Sequence, residues 1–531
     1  MRHPGFDELA LAHVDARLVP AALTSWAVTA AGILWPVGRV LASCCVVLVA
    51  ASGALVCYAV RRTDAPRLRG ISAGLVAVGV VGAGFGLAIA LRADAVGRHP
   101  ITAAFGTTAP VTVTPTESAL SLGRGRLMFR ATLQRLRADE ISGRVVVFAR
   151  ASDFGSETGS ETSPVMVGQP VRFTARINRP ARHDLTVAVL NAAGRPTRGR
   201  AGAVQRAAHT VRGRFVVAVR DVLPAEQAAM LPALVLGDTS AVAAETSREF
   251  RAAGMTHLTA VSGANVTIVC AAVLFSARLI GPRAAVLLAG VALVAFVIVV
   301  QPTASVLRAA VMGAIALAGM LSSRRRQAIP ALSATVLILL AVAPHLAVDV
   351  GFALSVLATA ALVVIAPVWS RRLAGRGCPK PLADALAVAW AAYVVTAPLV
   401  AGISGRVSLV AAVANLAVAA VIAPITVLGS AAAVLCLLWP AGAQLLIRFT
   451  GPELWWVLSV ARWAAGIPAA TVPVPAGVAG VLVVGGATVL ALLLARVLWR
   501  WRWFRTLTGS AMVVVVIFVP AWSLSGLVGP S

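Results

Sequence analysis

Apolar runs long enough to cross a bilayer recur along most of this chain of 531 residues. The sequence is 59% hydrophobic and only 12% charged, with a mean hydropathy of +0.88. A backbone in hydrocarbon must satisfy its own hydrogen bonds, and continuous runs of this length indicate membrane-spanning helices. The sequence therefore predicts a polytopic α-helical membrane protein rather than a soluble one.

About thirteen spans are predicted, with basic loops between alternate spans. Because positively charged loops face the cytoplasm, this pattern places the N-terminus inside, residues 98–256 outside and the short C-terminus outside a cell membrane. The predicted spans lie near residues 21–36, 40–60, 70–91, 257–279, 284–301, 303–321, 329–344, 349–368, 383–402, 407–423, 425–441, 477–497 and 508–526.

The remaining sequence suggests a small all-β domain and two amphipathic regions. Short β-branched runs at 144–148, 171–177, 185–190 and 214–219, separated by turn residues, predict about five strands in a compact barrel. Charged residues interleave with Ala and Leu before residue 257, and Trp clusters after residue 443. The predicted domains are N-terminal helices (1–97), a β domain (98–222), an amphipathic outer segment (223–256), a transmembrane core (257–442), interfacial helices (443–475) and C-terminal helices (476–531).

Positive charge is concentrated in the predicted outer domain. Residues 98–220 hold 19 arginines against 7 acidic residues. A basic barrel suits the backbone of a polyanion, because released counterions drive such binding. The alternative is an ordinary solvated surface. The chain uses arginine for almost all of its positive charge, with Lys380 as its one lysine, so many arginines in a surface domain need not indicate a binding site. The predicted DNA-binding arginines are Arg124, Arg126, Arg130, Arg144, Arg172, Arg176, Arg212 and Arg214.

Polar side chains also occur within four of the predicted spans. Such groups are costly in hydrocarbon, and they usually line a pathway or pair with one another. Simpler interpretations remain open: Arg308 could extend to the interface, Asp349 could cap its helix, and Ser262-Gly263 could permit close packing. The predicted pore residues are His257, Ser262, Gly263, Asn265, Arg308, Asp349, Phe352, Ser355 and Asn415.

No catalytic or metal-binding motif is visible in the sequence. There is no Walker A, HExxH or GxSxG motif in a catalytic context, and the six cysteines lack metal spacing. We therefore expect no enzyme activity, no cofactor and no metal, and any driving force must come from another protein.

Several separated motifs resemble those of ComEC-type competence DNA channels. They are Ala233-Leu-Val-Leu-Gly-Asp-Thr-Ser240, Phe250-Arg-Ala-Ala-Gly-Met-Thr-His-Leu-Thr-Ala-Val-Ser-Gly-Ala-Asn-Val266, Gln301-Pro-Thr-Ala-Ser-Val-Leu-Arg308 and Asp349-Val-Gly-Phe-Ala-Leu-Ser355, followed by Asn415 and Pro424. The resemblance covers roughly residues 225–430. The chain departs from the family pattern at Asn265, where the usual residue is His, and at Ala353, where it is Gln.

This resemblance implies an inner-membrane channel that carries single-stranded DNA into the cytoplasm during natural transformation. It also implies that the outer β domain is OB-like and engages DNA. Many family members carry a C-terminal nuclease-like domain, which this chain is expected to lack. The expected partners are therefore single-stranded DNA, the bilayer, a separate nuclease, a DNA receptor and a cytoplasmic motor ATPase. The alternatives are a secondary transporter that binds a small anionic metabolite at Arg308, and a membrane scaffold.

Overall fold

The structure is a computed structural model that describes residues 15–35, 37–61, 66–154, 165–259, 261–301, 303–321 and 328–498. The chain divides into two compact units. Unit 1 comprises residues 1–241, 259–356 and 425–450, and unit 2 comprises residues 242–258, 357–424 and 451–531. The predicted span at 508–526 and one of the predicted basic loops, which contains Arg324-Arg325-Arg326, lie outside the described residues.

Most of the described chain is helical, as the apolar runs predict. In chain order the helices are α1 (Val19–Leu34), α2 (Gly38–Arg61), α3 (Pro66–Gly97), α4 (Ala151–Phe154), α5 (Ala203–Val222), α6 (Ala225–Leu236), α7 (Ala244–Ala252), α8 (Thr256–Thr259), α9 (Gly263–Ala277), α10 (Pro282–Val300), α11 (Ala304–Leu321), α12 (Ala328–Val342), α13 (Val350–Val364), α14 (Ala366–Ala374), α15 (Lys380–Ser404), α16 (Ala411–Leu438), α17 (Pro440–Phe449), α18 (Gly451–Gly466) and α19 (Val478–Leu498).

Five helical segments among the described residues are long and apolar enough to cross a membrane. They are Gly74–Ala104, Pro282–Val300, Val350–Ala374, Lys380–Ser404 and Ala411–Leu438, and seven shorter apolar helices accompany them. The chain is therefore a membrane protein with many apolar helices, while the predicted count of thirteen spans stays a prediction.

Three of the predicted spans have a different form in the structure. The spans predicted at 407–423 and 425–441 are wrong as separate helices, because α16 runs unbroken through Pro424. A proline removes one backbone donor, and a membrane helix tolerates this where its neighbours satisfy the freed carbonyl. In contrast, the predicted span 257–279 is interrupted, because α8 ends at Thr259 and α9 begins only at Gly263.

Eight strands are described, and six of them form one sheet in unit 1. The strands are β1 (Thr108–Pro115), β2 (Leu120–Gly123), β3 (Arg126–Leu136), β4 (Asp139–Arg150), β5 (Val171–Asn178), β6 (Ala188–Arg198), β7 (Arg406–Ser408) and β8 (Thr471–Pro473). The order of the large sheet is β1-β5-β6-β4-β3-β2, and an additional pairing of β1 with β3 closes five of the strands into a barrel. All pairings in the barrel are antiparallel except that of β4 with β6.

The barrel core follows from alternating side chains. On β5, Val171, Phe173, Ala175 and Ile177 are buried while the residues between them face outward. The same period of two along β1, β3 and β4 fills the interior with a continuous apolar cluster. The predicted β domain is thus confirmed, with strands at three of the four predicted runs.

The fourth predicted strand, at 214–219, is wrong, because these residues lie in α5. The run Phe215-Val-Val-Ala-Val is rich in strand-forming residues, yet only Phe215 and Val219 of it are buried, one helical turn apart. A helix that packs one face on its neighbours overrides the local strand preference.

The amphipathic outer segment predicted at 223–256 is also partly wrong. Beyond Glu226 and Gln227 of its first turn, helix α6 is apolar on all sides, and eight of its twelve residues are buried. A helix of this kind lies inside a bundle rather than at a water interface. Helix α7 fits the expectation, since Thr246 and Phe250 are buried while its charged residues lie on other faces.

Unit 2 is organised around the packing of α15 with α14 and α19. The short strands β7 and β8 follow α15 and precede α19, and they pair antiparallel. Helix α18 contacts α7, and the Trp456 indole donates to the Ala417 carbonyl at 2.9 Å. Helices α17 and α18 correspond to the interfacial helices predicted at 443–475, and their position at the membrane interface stays a prediction.

Candidate functional site

Arg308 of α11 lies at the centre of a polar cluster in unit 1. Its side chain is buried, with the residue 7% exposed. Arg308 Nε donates to Ser355 Oγ of α13 at 2.7 Å, and Nη1 donates to Met312 Sδ at 3.3 Å. Ser355 Oγ in turn lies 3.4 Å from Ser305 Oγ. Two of the predicted pore residues, which are 47 positions apart in sequence, are therefore bonded to each other.

Gly263 makes room for this guanidinium. A Cβ atom placed on Gly263 would lie 2.5 Å from Arg308 Nη2 and 3.2 Å from Ala309 Cβ. This geometry agrees with the interpretation that Ser262-Gly263 permits close packing, and the nearest group is a charged side chain. Any larger residue at this position would have to displace the guanidinium.

The first turn of α9 starts immediately beside Arg308. Ser262 occupies the N-cap position, but its side chain makes no capping hydrogen bond. Its hydroxyl donates instead to Asn265 Oδ1 at 3.2 Å, and Asn265 Nδ2 donates to the Leu234 carbonyl at 2.9 Å. Asn265 thus ties the start of α9 to α6, which is a positioning contact that the sequence does not reveal.

Asp349 is the N-cap of α13, in agreement with one of the sequence interpretations. Its Oδ1 accepts from the Phe352 backbone N–H at 2.8 Å. The Phe352 ring packs on Trp26 of α1, with ring centroids 5.2 Å apart. The Trp26 indole donates to the Ala347 carbonyl at 2.8 Å. The start of α13 is therefore fixed from two sides, by its own cap and by α1.

The second oxygen of Asp349 faces the barrel. Asp349 Oδ2 lies 4.0 Å from Arg130 Nη2 on β3. Arg130 also forms an ion pair with Glu117, at 3.1 Å and 3.3 Å to its two oxygens. The sequence predicts that Arg130 contacts DNA, but in this arrangement it joins the barrel to the start of a membrane helix.

Arg144 on β4 lies near the same contact between the barrel and the start of α13, which we call the joint. Burial, followed by the charge of Arg130, lowers the pKa of Arg144. His345 lies in the turn between α12 and α13, outside the spanning helices, and burial together with Arg144, Arg130 and Arg92 lowers its pKa to about 4. Asp184 opposes this shift. The imidazole is therefore neutral at physiological pH.

A second contact joins the barrel to the connection between α10 and α11. Ser118 Oγ, in the loop between β1 and β2, donates to Gln301 Oε1 at 2.6 Å. Gln301 has φ +80° and ψ 146°, a conformation that is nearly restricted to glycine and costs about 1–3 kcal/mol for other residues. The connection between α10 and α11 is therefore strained at the point where the barrel touches it.

His257 and Asn415 lie in unit 2. Asn415 Nδ2 donates to the Ala411 carbonyl at 2.8 Å and lies 3.4 Å from the Gly254 carbonyl. Its Oδ1 is buried and, among the described residues, has no hydrogen-bond partner. His257 is exposed. Of the nine predicted pore residues, seven thus belong to unit 1 and two to unit 2.

The barrel surface carries a basic groove that the sequence alone does not identify. Thr112 of β1 pairs with Arg135 of β3 on one side and with Arg172 of β5 on the other, and Arg172 pairs with Thr197 of β6. These four residues form one row across four strands. Neighbouring strands lie about 4.8 Å apart, so the two arginines of the row are separated by about 10 Å along the surface.

The groove has a volume of about 760 Å³ and is lined mainly by polar side chains. Arg137 and Arg198 add two further positive charges, and Glu140 pairs with Arg135. Of the predicted DNA-binding arginines, only Arg172 lines this groove. The sequence does not reveal Arg135, Arg137 and Arg198, because their proximity depends on barrel closure, which brings the ends of β3 and β6 together.

The other predicted arginines are distributed over the surface and the helices. Arg124, Arg126, Arg176 and Arg214 are exposed, with Arg214 on α5 rather than on a strand. Arg212 of α5 is largely buried, and it donates to the carbonyls of Leu236 and Val299 at 3.2 Å and 3.0 Å. It also lies 3.7 Å from Asp238, so it ties α5 to the ends of α6 and α10.

No metal site accompanies these clusters in the part of the chain that the structure describes. There, no group of three or more His, Cys, Asp or Glu side chains could hold a metal ion. The donor set around Arg308 consists of hydroxyl, guanidinium and backbone N–H groups, which suit oxyanions and not cations.

Comparison with known families identifies the membrane core. The family model described as "Competence protein" matches residues 234–503, which is just over half of the chain. No curated protein and no solved structure matches the sequence. The matched region includes the Arg308 cluster, the cap of α13 and the interrupted span at α8 and α9. The chain therefore belongs to the competence protein family.

Proposed function

We propose that this protein is a cell-membrane channel that carries single-stranded DNA into the cytoplasm during natural transformation. Membership in the competence protein family supports a role in DNA uptake. The observation that carries the channel proposal is the joint between a basic barrel and polar membrane helices, through Arg130 with Asp349 and Ser118 with Gln301.

The barrel supports the part of the proposal that concerns DNA binding. Without the β2 hairpin, its strands are ordered β1-β3-β4-β6-β5-β1, a closed five-stranded arrangement. We assign this barrel to the OB-like class, in which five-stranded Greek-key barrels bind oligonucleotides. A positively charged groove that tracks a phosphate backbone is the usual means of binding single strands without sequence preference.

The residues that line the groove include no aromatic side chain for base stacking. Its lining is Thr112, Thr132, Leu133, Gln134, Arg135, Arg137, Glu140, Ile141, Ser142, Pro170, Arg172, Thr197, Arg198 and Gly199. None of these is aromatic, so binding is expected to depend on phosphates and to weaken steeply with salt. Such binding does not depend on the sequence of the DNA, as a channel for DNA of any sequence requires.

We further propose that the chain itself performs no catalysis. The motor that pulls the strand, the nuclease that degrades the complementary strand and the receptor that delivers DNA are then separate partner proteins. The barrel would face outward and the basic loops inward, in keeping with the positive-inside rule.

A second candidate function is supported by one specific feature. The interrupted span at α8 and α9 places a helix N-terminus beside Arg308, and broken helices of this kind bind anionic substrates in secondary transporters. Transport of a small anionic metabolite would use the same residues without the barrel groove. The groove therefore favours the DNA proposal.

Gene replacement in a naturally competent host tests the proposal. A strain in which this gene is deleted should lose transformation by naked DNA while it still binds DNA at its surface, and the wild-type gene should restore it. Unchanged transformation frequency in the deletion strain would refute the channel role. Normal transformation with altered uptake of a small anion would favour the transporter.

A further inference from the structure

We infer that the N-terminus of α9 and the Arg308 guanidinium form an anion site among the membrane helices, and that the site binds a phosphate diester of the translocating strand. The identity of this ligand rests on the proposed function. The existence of the site rests on the geometry of Arg308, Gly263 and the first turn of α9, all of which lie in unit 1.

The first element of the site is a helix start within a span. Helix α9 has 15 residues and begins at Gly263, after the break that follows α8. The first backbone N–H groups of a helix have no intrahelical acceptor, and together they carry a partial positive charge. Ser262 does not cap them, because its hydroxyl bonds with Asn265 instead.

The second element is the buried charge of Arg308. Among the described residues, no carboxylate forms an ion pair with Arg308, whose side-chain bonds go to the neutral groups of Ser355 and Met312. A permanent positive charge in this position is expensive unless an anion compensates it. Arg308 Nη2 points at Gly263, where it would meet an added Cβ atom at 2.5 Å.

The two elements reinforce each other. A guanidinium beside the positive end of a helix is unfavourable for both groups, but an oxyanion that contacts both is stabilised by both. Ser355 Oγ accepts from Arg308 Nε and donates to Ser305 Oγ at 3.4 Å, so the Ser305 hydroxyl is a further donor close to the guanidinium. A phosphate diester has the matching chemistry, since it carries one negative charge and only acceptor oxygens on its phosphate.

Cysteine labelling in the full chain tests this inference. Ala264, which is exposed in the first turn of α9, is replaced by Cys in a background where the six native cysteines are Ser. The rates of reaction with a negative and a positive methanethiosulfonate reagent are then compared. Thr267→Cys, exposed one turn further along the same helix, is the matched control.

The expected result is that the negative reagent reacts about tenfold faster than the positive one with the Ala264→Cys variant, and that the preference is weaker in the Thr267→Cys control. Adding Arg308→Gln to Ala264→Cys should abolish the preference. Gly263→Ala, which displaces the guanidinium without removing its charge, serves as a second variant if Arg308→Gln does not fold. Equal rates for both reagents with Arg308 present, or no reaction of the introduced thiol, would overturn the inference.

Protection by two probes identifies the ligand. Inorganic phosphate and a single-stranded oligothymidylate should each slow the labelling of Ala264→Cys when Arg308 is present and not when Arg308→Gln is added. Protection by phosphate alone would keep the anion site and overturn the assignment of a strand as its ligand. The gene-deletion experiment is independent of these rates, so the site and the proposed function can fail separately.

Discussion

Asp349 Oδ1 accepts the Phe352 N–H at 2.8 Å, so the carboxylate that faces the barrel also starts α13. One side chain thus combines two roles: a helix cap and a charge 4.0 Å from Arg130. The cap is a short, direct hydrogen bond, whereas the ion pair is long and partly exposed to solvent. We therefore expect the cap to contribute more to stability.

Substitutions at Asp349 separate these roles. Asp349→Ala should lower the free energy of unfolding by about 1 kcal/mol, because Ala cannot cap. Asp349→Asn keeps the cap and loses only the charge, so it should cost a few tenths of a kcal/mol. Thermal unfolding of the detergent-purified protein measures both. Equal losses for the two variants would show that the charge, and not the cap, is the important feature.

The joint between barrel and helices should be sensitive to acid. The pKa of His345 is about 4 in the folded protein, below its usual 6.5, because of burial and the charges of Arg144, Arg130 and Arg92, with Asp184 opposing. Between these two values the unfolded chain binds a proton that the folded chain does not. The stability provided by the neutral imidazole is therefore complete above about pH 6.5 and is lost progressively as the pH falls to about 4.

Unfolding temperatures across this pH range test the assignment to His345. The His345→Asn variant should lose part of the decline between pH 6.5 and 4. The control is His183→Asn, which removes an exposed histidine between β5 and β6. An identical decline in wild type and His345→Asn would mean that another group is responsible.

Gly263 and Gly290 offer a matched pair of glycines. An added methyl group on Gly263 meets Arg308, while nothing lies within 4 Å of a Cβ atom on Gly290 of α10. Gly263→Ala should reduce DNA uptake at least tenfold with little loss of stability, since a flexible guanidinium can move aside. Gly290→Ala should preserve uptake and add up to about 1 kcal/mol of stability, because Ala favours a helix. Equal uptake by the two variants would contradict a role for the Arg308 position.

The pairing of β7 with β8 predicts which residues share a side of the membrane. Arg406 and Val472 are exposed on these paired strands. Helix α15, with 25 residues, is about 38 Å long, which is enough to cross a bilayer between Arg371 and β7, and the predicted topology places β7 outside. An impermeant thiol reagent added outside intact cells should therefore label Arg406→Cys and Val472→Cys but not Arg371→Cys. Labelling of only one member of the β7–β8 pair would contradict this topology.

The sequence predicts which segments are apolar and which strands alternate, because both patterns are local. It misassigns residues 214–219 because their β-branched run resembles a strand. The burial of Ala208, Phe215 and Val219 follows helical spacing, which the 3.6-residue periodicity could have revealed. It also takes Pro424 as a helix end, although the continuity of α16 depends on neighbouring helices and not on the proline alone.

The candidate site is only partly predictable from the sequence. The polar residues within spans are visible in the sequence, since they interrupt apolar runs. Their partners are not, because the Arg308–Ser355 bond depends on how α11 packs against α13. The same holds for the groove, where Arg135 and Arg172 become neighbours of Thr112 only when β1 closes the barrel. Residues far apart in sequence come together here only through the packing of helices and the closure of the barrel.

The most direct test of the account measures strand import into proteoliposomes that contain the full-length protein and a pulling force, such as a strand-binding protein trapped inside. Charge reversal in the groove, Arg172→Glu with Arg198→Glu, should reduce the amount of nuclease-protected single strand severalfold. It should also lower the slope of log affinity for DNA against log salt concentration by about one for each arginine replaced. Arg150→Glu with Arg195→Glu, which reverses two exposed charges outside the groove, is the control and should change both only slightly. Import that proceeds equally well in the groove variant, or no import by the wild-type protein, would contradict the proposal that the barrel feeds a DNA-conducting membrane core.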